Sequence, residues 1–214
     1  MTDDAKTSQT APAAAAGPGY DAKGLLHRYL KAVSDALVWK LEGLDEYAVR
    51  RPLTATGTNL LGLVKHVAGV NSEYFGSVFG RPFPEALPWL EQDVADNADF
   101  WATASESREY IIGVYQRVWA HAEATIEALD LDATGRVPWW PPERNTVTLY
   151  QILVHMVAEL NRHTGHADIL REQLDDSAGL NQRNANLPDH DEAWWANYRG
   201  EVEAAARQAS GREG

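Results

Sequence analysis

A chain of 214 residues, 44% hydrophobic and 23% charged, is long enough for one sizeable core and ordinary in make-up for a globular protein. Its formal net charge of -12, without any dense Lys/Arg run, argues against a nucleic-acid partner. The absence of cysteine excludes disulfides, thiolate metal sites and cysteine nucleophiles, and no apolar run reaches the ~18 residues a membrane span needs.

The opening stretch MTDDAKTSQTAPAAAAGPGY starts acidic and lacks the apolar core of a secretory signal, so the expected compartment is cytoplasmic. Residues 1–20, rich in Ala, Thr, Ser and Pro and without a period, are expected to form a disordered tail. From Asp21, apolar positions at Leu26, Leu30, Val33, Leu37, Leu41 and Leu44 recur at helical spacing and predict a first helix to about Leu44. Pro52 and Gly57 interrupt it. Thr58 or Asn59 then caps a second helix with Leu60, Val64, Val67, Tyr74 and Phe75. His66 lies beside Leu63 and Val70, on one flank of that stripe.

Between Gly80 and Phe100, Pro82, Pro84, Pro88 and several acids predict a long connection, a kind of segment that is often functional. Thr103 and Glu106 have capping-box spacing and predict a third helix, striped by Ile111, Val114, Val118, Ala122, Ile126 and Leu129. The Pro- and Trp-rich VPWWPPERNTVT reads as a hairpin-like lid, with Trp139 and Trp140 either walling a pocket or capping a bundle end. Thr146 or Thr148 caps the fourth helix. Beyond Leu174, turn-rich sequence leads to a short last helix whose Trp194 and Trp195 are expected to pack on the rest. The reading is all-α: a four-helix bundle over residues 21–175, with a C-terminal extension, 176–214, packing on it.

The fourth helix, YQILVHMVAELNRHTGHADILREQL, has the strongest period and the densest chemistry. Leu149, Leu153, Met156, Leu160, His163, Ala167, Leu170 and Leu174 form its inward stripe, so a histidine stands in the middle of a buried face. Around the helix Glu159 lies about 40° from His163, His166 about 60° and His155 about 80°. The four-residue step from Glu159 to His163 brings their Cβ atoms within about 6 Å, close enough to share one ion. His66 is the best third ligand from another helix. Two histidines and one carboxylate suit zinc with an open position, and also nickel or non-haem iron. A core histidine is also commonly satisfied by a neighbouring carbonyl or carboxylate, and Glu159 has Arg162 as an alternative partner. No HExxH motif and no nucleophile elbow is present. Arg162, Asp168, Arg171 and Glu172 read as ion-pairing residues, and His27, His121 and His190 as lying outside any site.

The segment HMVAELNRHTGHADILREQL resembles the last bundle helix of the DinB-like (YfiT-like) metalloenzyme superfamily. Its ExxRHxGHxDxLRE pattern resembles a branch common in actinobacteria. TNLLGLVKHVAGVNSEYF resembles the helix that carries that family's first metal histidine. The resemblance covers roughly Leu25 to Leu174. It implies a bundle of down-up-up-down order and a metal triad of His66, Glu159 and His163. Many relatives have histidine where this chain has Glu159, while the more distant mycothiol-dependent maleylpyruvate isomerase uses glutamate there. His166 stands where relatives often have glutamine, and its readings stay open: contact with substrate, where it could serve as an acid/base, support of a metal ligand, or helix packing. His155 reads as a supporting or structural residue.

The resemblance further implies one divalent ion, zinc first with nickel or iron as alternatives, and a low-molecular-weight thiol such as mycothiol as co-substrate. The function expected is thiol S-transfer or isomerisation of a small molecule, with neither nucleic acid nor membrane as partner and a homodimer left open. Without a protein cysteine, the thiolate must come from the co-substrate. The alternative is a stress-response or ligand-binding bundle with a structural metal; an iron oxygenase stands third.

Overall fold

The computed structural model describes residues 21–211 and is mostly helical, with one small two-stranded sheet. Its main helices begin where a polar side chain can serve a free backbone N–H. Asp21 accepts from the Gly24 N–H at the head of α1 (Ala22–Trp39), and Asn59 accepts from Gly62 at the head of α3 (Leu60–Tyr74). Thr148 and Gln151 form a reciprocal capping box on α5 (Leu149–Asp175). A short α2 (Glu46–Arg50), α4 (Arg108–Ala128) and α6 (Glu192–Ser210) complete the set. The reading of residues 1–20 as a disordered tail lies outside the described residues.

Two boundaries differ from the sequence expectation, each for a tertiary reason. α1 stops at Trp39, five residues before Leu44, and the buried Arg171 of α5 donates to the carbonyls of Lys40 and Glu42 at 2.9 and 2.7 Å. The same guanidinium pairs with Asp175, while Lys40 pairs with Asp168 and donates to the Gly179 carbonyl. α4 starts after a Ser107 cap, not at Thr103. Glu106 does accept from the Thr103 N–H at 2.7 Å, as a capping box would, but its carboxylate also takes the Lys65 ammonium at 2.9 Å. That second commitment ties the residue to α3.

The all-α expectation is corrected by a β-ribbon. β1 (Thr134–Arg136) pairs antiparallel with β2 (Thr146–Thr148), with Gly135 opposite Val147. The β-branched residues Thr134, Thr146, Val147 and Thr148 suit extended backbone. A Cβ on Gly135 would overlap the Val78 carbonyl and the Phe79 ring, so glycine permits the ribbon to close on the 3-10 turn Ser77–Phe79. The Trp-rich segment is the loop of this ribbon.

In the core, α1 packs on α5, and α3 packs on both α4 and α5. Leu37, Leu63, Val67, Ile111, Val118, Met156 and Leu160 are all fully or almost fully removed from solvent. The long connection before α4 is not structureless. Leu87 and Trp89 are buried, and 3-10 turns form at Pro88–Leu90 and Ala98–Phe100. α6 buries no side chain among the described residues, and the ring contacts of Trp194 and Trp195 are with His190, Tyr198 and each other. No described helix is long and apolar enough to cross a membrane.

The Lys65–Glu106 pair is nearly buried, its side chains 2% and 18% exposed. Burial raises the Glu106 carboxyl, but hydrogen bonds from Lys65 and Thr103 outweigh it and hold the group below the ordinary carboxylate range. Glu106→Ala is therefore expected to cost about 3 kcal/mol at neutral pH, since it leaves a buried ammonium short of its counter-charge. A carboxyl depressed in the folded state stabilises above its unfolded pKa and loses that contribution as pH falls through the folded value. Urea denaturation from pH 7 down to pH 3 is expected to show the wild-type and variant curves converging only in the acid range.

Candidate metal centre

α3 directs Lys65 and His66 to opposite duties from adjacent positions. Lys65 Nζ donates to the carbonyls of Ala98 and Trp101, both at 2.9 Å, and so fastens the end of the long connection against α3. His66 then meets two residues of the fastened segment. Its Nδ1 is 2.6 Å from Asp99 Oδ2, and the Phe100 ring stacks on it with centroids 4.0 Å apart. With Nδ1 engaged, Nε2 faces Glu159 Oε1 at 4.0 Å.

α5 supplies the opposite wall. Glu159 and His163 stand one turn apart, with His163 Nε2 and Glu159 Oε1 at 3.0 Å. One ligand atom from each of His66, Glu159 and His163 lies within 4.8 Å of the others. Tetrahedral zinc ligands at about 2.0–2.2 Å from the ion stand roughly 3.3–3.6 Å apart, so these three need only a small adjustment to share one. Burial, and then the neighbouring His66, hold the His163 pKa below its ordinary value despite Glu159. A neutral imidazole is the form that ligates. The donor chemistry therefore fits a divalent ion, zinc included.

The remaining histidines separate clearly. His166 is exposed, its ring edge-on to His163 at 5.5 Å between centroids. His155 lies on another patch of α5, with ring centroids 4.8 Å from Tyr74 and 5.1 Å from Trp140. Trp139 and Trp140 both donate to the Tyr74 hydroxyl, so the ribbon loop is joined to α3 one helical turn from Glu159 along α5. His27 is 3.2 Å from Glu123, His121 is 2.7 Å from the Arg81 carbonyl, and His190 stacks on Trp194.

Asp99 and Phe100 were not foreseen among the site residues. Their only sequence signal is membership of a long, acidic connection, since nothing in a linear reading pairs residue 99 with residue 66. Glu73, further along α3, has its carboxyl raised by burial and secondarily by the charge of Asp99. The acidic edge of the site is thus built jointly by the helix and the connection.

The chain is of the DinB-like class, and its α3 and α5 bring two histidines and a carboxylate together as a candidate metal centre. The particular family follows from comparison with family models. The one described as Mycothiol-S-transferase matches residues 25–176, most of the chain, and the chain belongs to that family. No curated protein matches it.

Equilibrium dialysis against Zn²⁺ is expected to give close to one ion per chain, as one three-ligand site requires. His163→Ala is expected to lose most of that binding, and full retention would refute the ligand set.

Proposed function

We propose that the protein is a divalent-metal-dependent transferase, which joins a low-molecular-weight thiol of the mycothiol type to a small electrophile. The carrying observation is the convergence of His66, Glu159 and His163, and the family match supplies the thiol chemistry. Residues 25–176 span α1 to the end of α5, so the unit 21–175 is the proposed functional domain and 176–214 an extension to it. A bundle of down-up-up-down order fits the pairings between helices. Val33 and Lys40 of the α1 end meet Thr164 and Arg171 in the same direction along α5, whereas Lys23, His27 and Ser34 meet Leu129, Glu123 and Tyr115 in the reverse direction along α4.

When bound, a divalent ion supplies a positive centre that favours the deprotonated form of a thiol near neutral pH. The chain's own residues divide the remaining work. His66 and His163 contribute neutral donors and Glu159 one negative charge, so an ion held by them keeps net positive charge. His166, exposed and edge-on to His163, takes the thiol proton in this proposal. The thiol sulfur then forms a bond to the electrophilic carbon as that carbon's bond to its leaving group breaks, and the proton held by His166 passes to the departing group. Tyr74, Trp139, Trp140 and His155 form an aromatic wall one turn from Glu159 that shapes the approach.

The alternative, a binding protein with a structural metal, calls for a filled coordination shell. His155 faces Tyr74 and Trp140, and His166 is not part of the three-donor cluster. That arrangement favours an open position. Zinc is the proposed ion, nickel and iron(II) the alternatives, and the cytoplasm the proposed compartment.

Metal-loaded protein is expected to conjugate mycothiol to a model electrophile, and chelation is expected to remove the activity. Rates independent of thiol across a substrate panel would favour the binding protein instead. His166→Gln is expected to lower kcat by roughly 100-fold, the usual scale for a general acid/base, with metal content unchanged.

A further inference from the structure

The three ligands are not equally prepared for an ion. A neutral imidazole carries one proton and one lone pair, and the group bonded to one nitrogen decides which the other presents. At His163 the inward Nε2 is the atom hydrogen-bonded to Glu159, and the buried Nδ1 has no hydrogen-bond partner among the described residues. At His66 the outward Nδ1 faces a carboxylate, which can only accept, so Nδ1 carries the proton and Nε2 presents its lone pair to Glu159.

The carboxylate responsible is held by an unusually complete set of fastenings. Asn97 adopts a left-handed backbone, φ 60°, which asparagine tolerates, and turns the chain into the 3-10 segment Ala98–Phe100. One face of α3 then receives that segment. Asn59 Nδ2 donates to the Phe100 carbonyl at 3.1 Å, and Lys65 binds the carbonyls of Ala98 and Trp101 on either side of Asp99 and Phe100. Between them, Gly62 leaves room for the Phe100 carbonyl, which any Cβ would overlap. Asn59, Gly62 and Lys65 touch no ligand, yet together they fix where the Asp99 carboxylate stands.

We propose that Asp99 is the positioning residue of the metal centre: it fixes the His66 tautomer and ring orientation so that Nε2 is ready to ligate, and the Asn59–Gly62–Lys65 face of α3 exists to hold it there. Asp99 is not itself a ligand, because its carboxylate sits on the ring nitrogen that points away from Glu159 and His163. This role rests on the metal-site reading above. Partners of this kind ordinarily change metal affinity by about 10–100-fold when removed.

The test compares zinc Kd for wild type, Asp99→Ala, Asp99→Asn, Gly62→Ala and His66→Ala, with imidazole ¹⁵N shifts of His66 recorded on metal-free protein. Asp99→Ala is expected to weaken zinc by about 10–100-fold and to lose the preference for the Nδ1–H form. Asp99→Asn keeps an acceptor without the charge and is expected to fall between wild type and Asp99→Ala in affinity. Gly62→Ala, which displaces the Phe100 carbonyl, is expected to weaken zinc although residue 62 lies remote from the ion. Zinc binding lost in His66→Ala but unchanged in both Asp99 variants would overturn the role of Asp99 alone. An Nε2–H His66 in metal-free wild type would do the same. Failure of wild type to bind zinc would overturn the metal reading and this role with it.

Discussion

A lysine ammonium placed on the buried face of a helix must find acceptors, because an unpaired charge in the interior costs several kcal/mol. Lys65 is 2% exposed, and its acceptors come from the connection before α4: two backbone carbonyls and the Glu106 carboxylate. The Trp89 face, 4.7 Å from the ammonium, completes its shell. Satisfying that single charge folds a long, proline-punctuated segment onto α3. The same segment then delivers Asp99 and Phe100 to His66, so the order of the site depends on an interaction one residue away from it.

The junction of α1 with α5 uses the same device. Lys40 is fully buried and pairs with Asp168, while Arg171 donates to the carbonyls of Lys40 and Glu42 just past α1 and pairs with Asp175. These residues of the ExxRHxGHxDxLRE stretch hold α1 to α5 below the site, whereas Glu159 and His163 of the same stretch face α3. One helix thus carries two polar constellations, one for joining helices and one for chemistry. They are separated because residues a turn or more apart along α5 meet different neighbours.

Much of this was legible in the chain. The stripe through Met156, Leu160, His163 and Ala167 identified the buried face of α5, since helical period follows directly from side-chain direction. Glu159 and His163 were legible as a pair because a four-residue step is local geometry. Their partner His66 needed more: flank position made it a candidate, and family resemblance chose it. Periodicity carries α1 past the point where Arg171 claims the carbonyls of Lys40 and Glu42, and capping-box spacing starts α4 too early because Lys65 also claims the Glu106 carboxylate. The β-ribbon was legible only as a hairpin-like segment, its strands being too short to show an alternation.

The sequence by itself determined the helical character, the inward histidine and the lack of any protein thiol, because composition and period depend only on residues near one another in the chain. Tertiary structure alone decided that Asp99 meets His66, that His155 belongs with Tyr74 and Trp140, and that His166 stays in solvent. Those outcomes depend on where separate helices and a long connection are brought together, and the acceptors demanded by buried charges on α1 and α3 are what fix that arrangement.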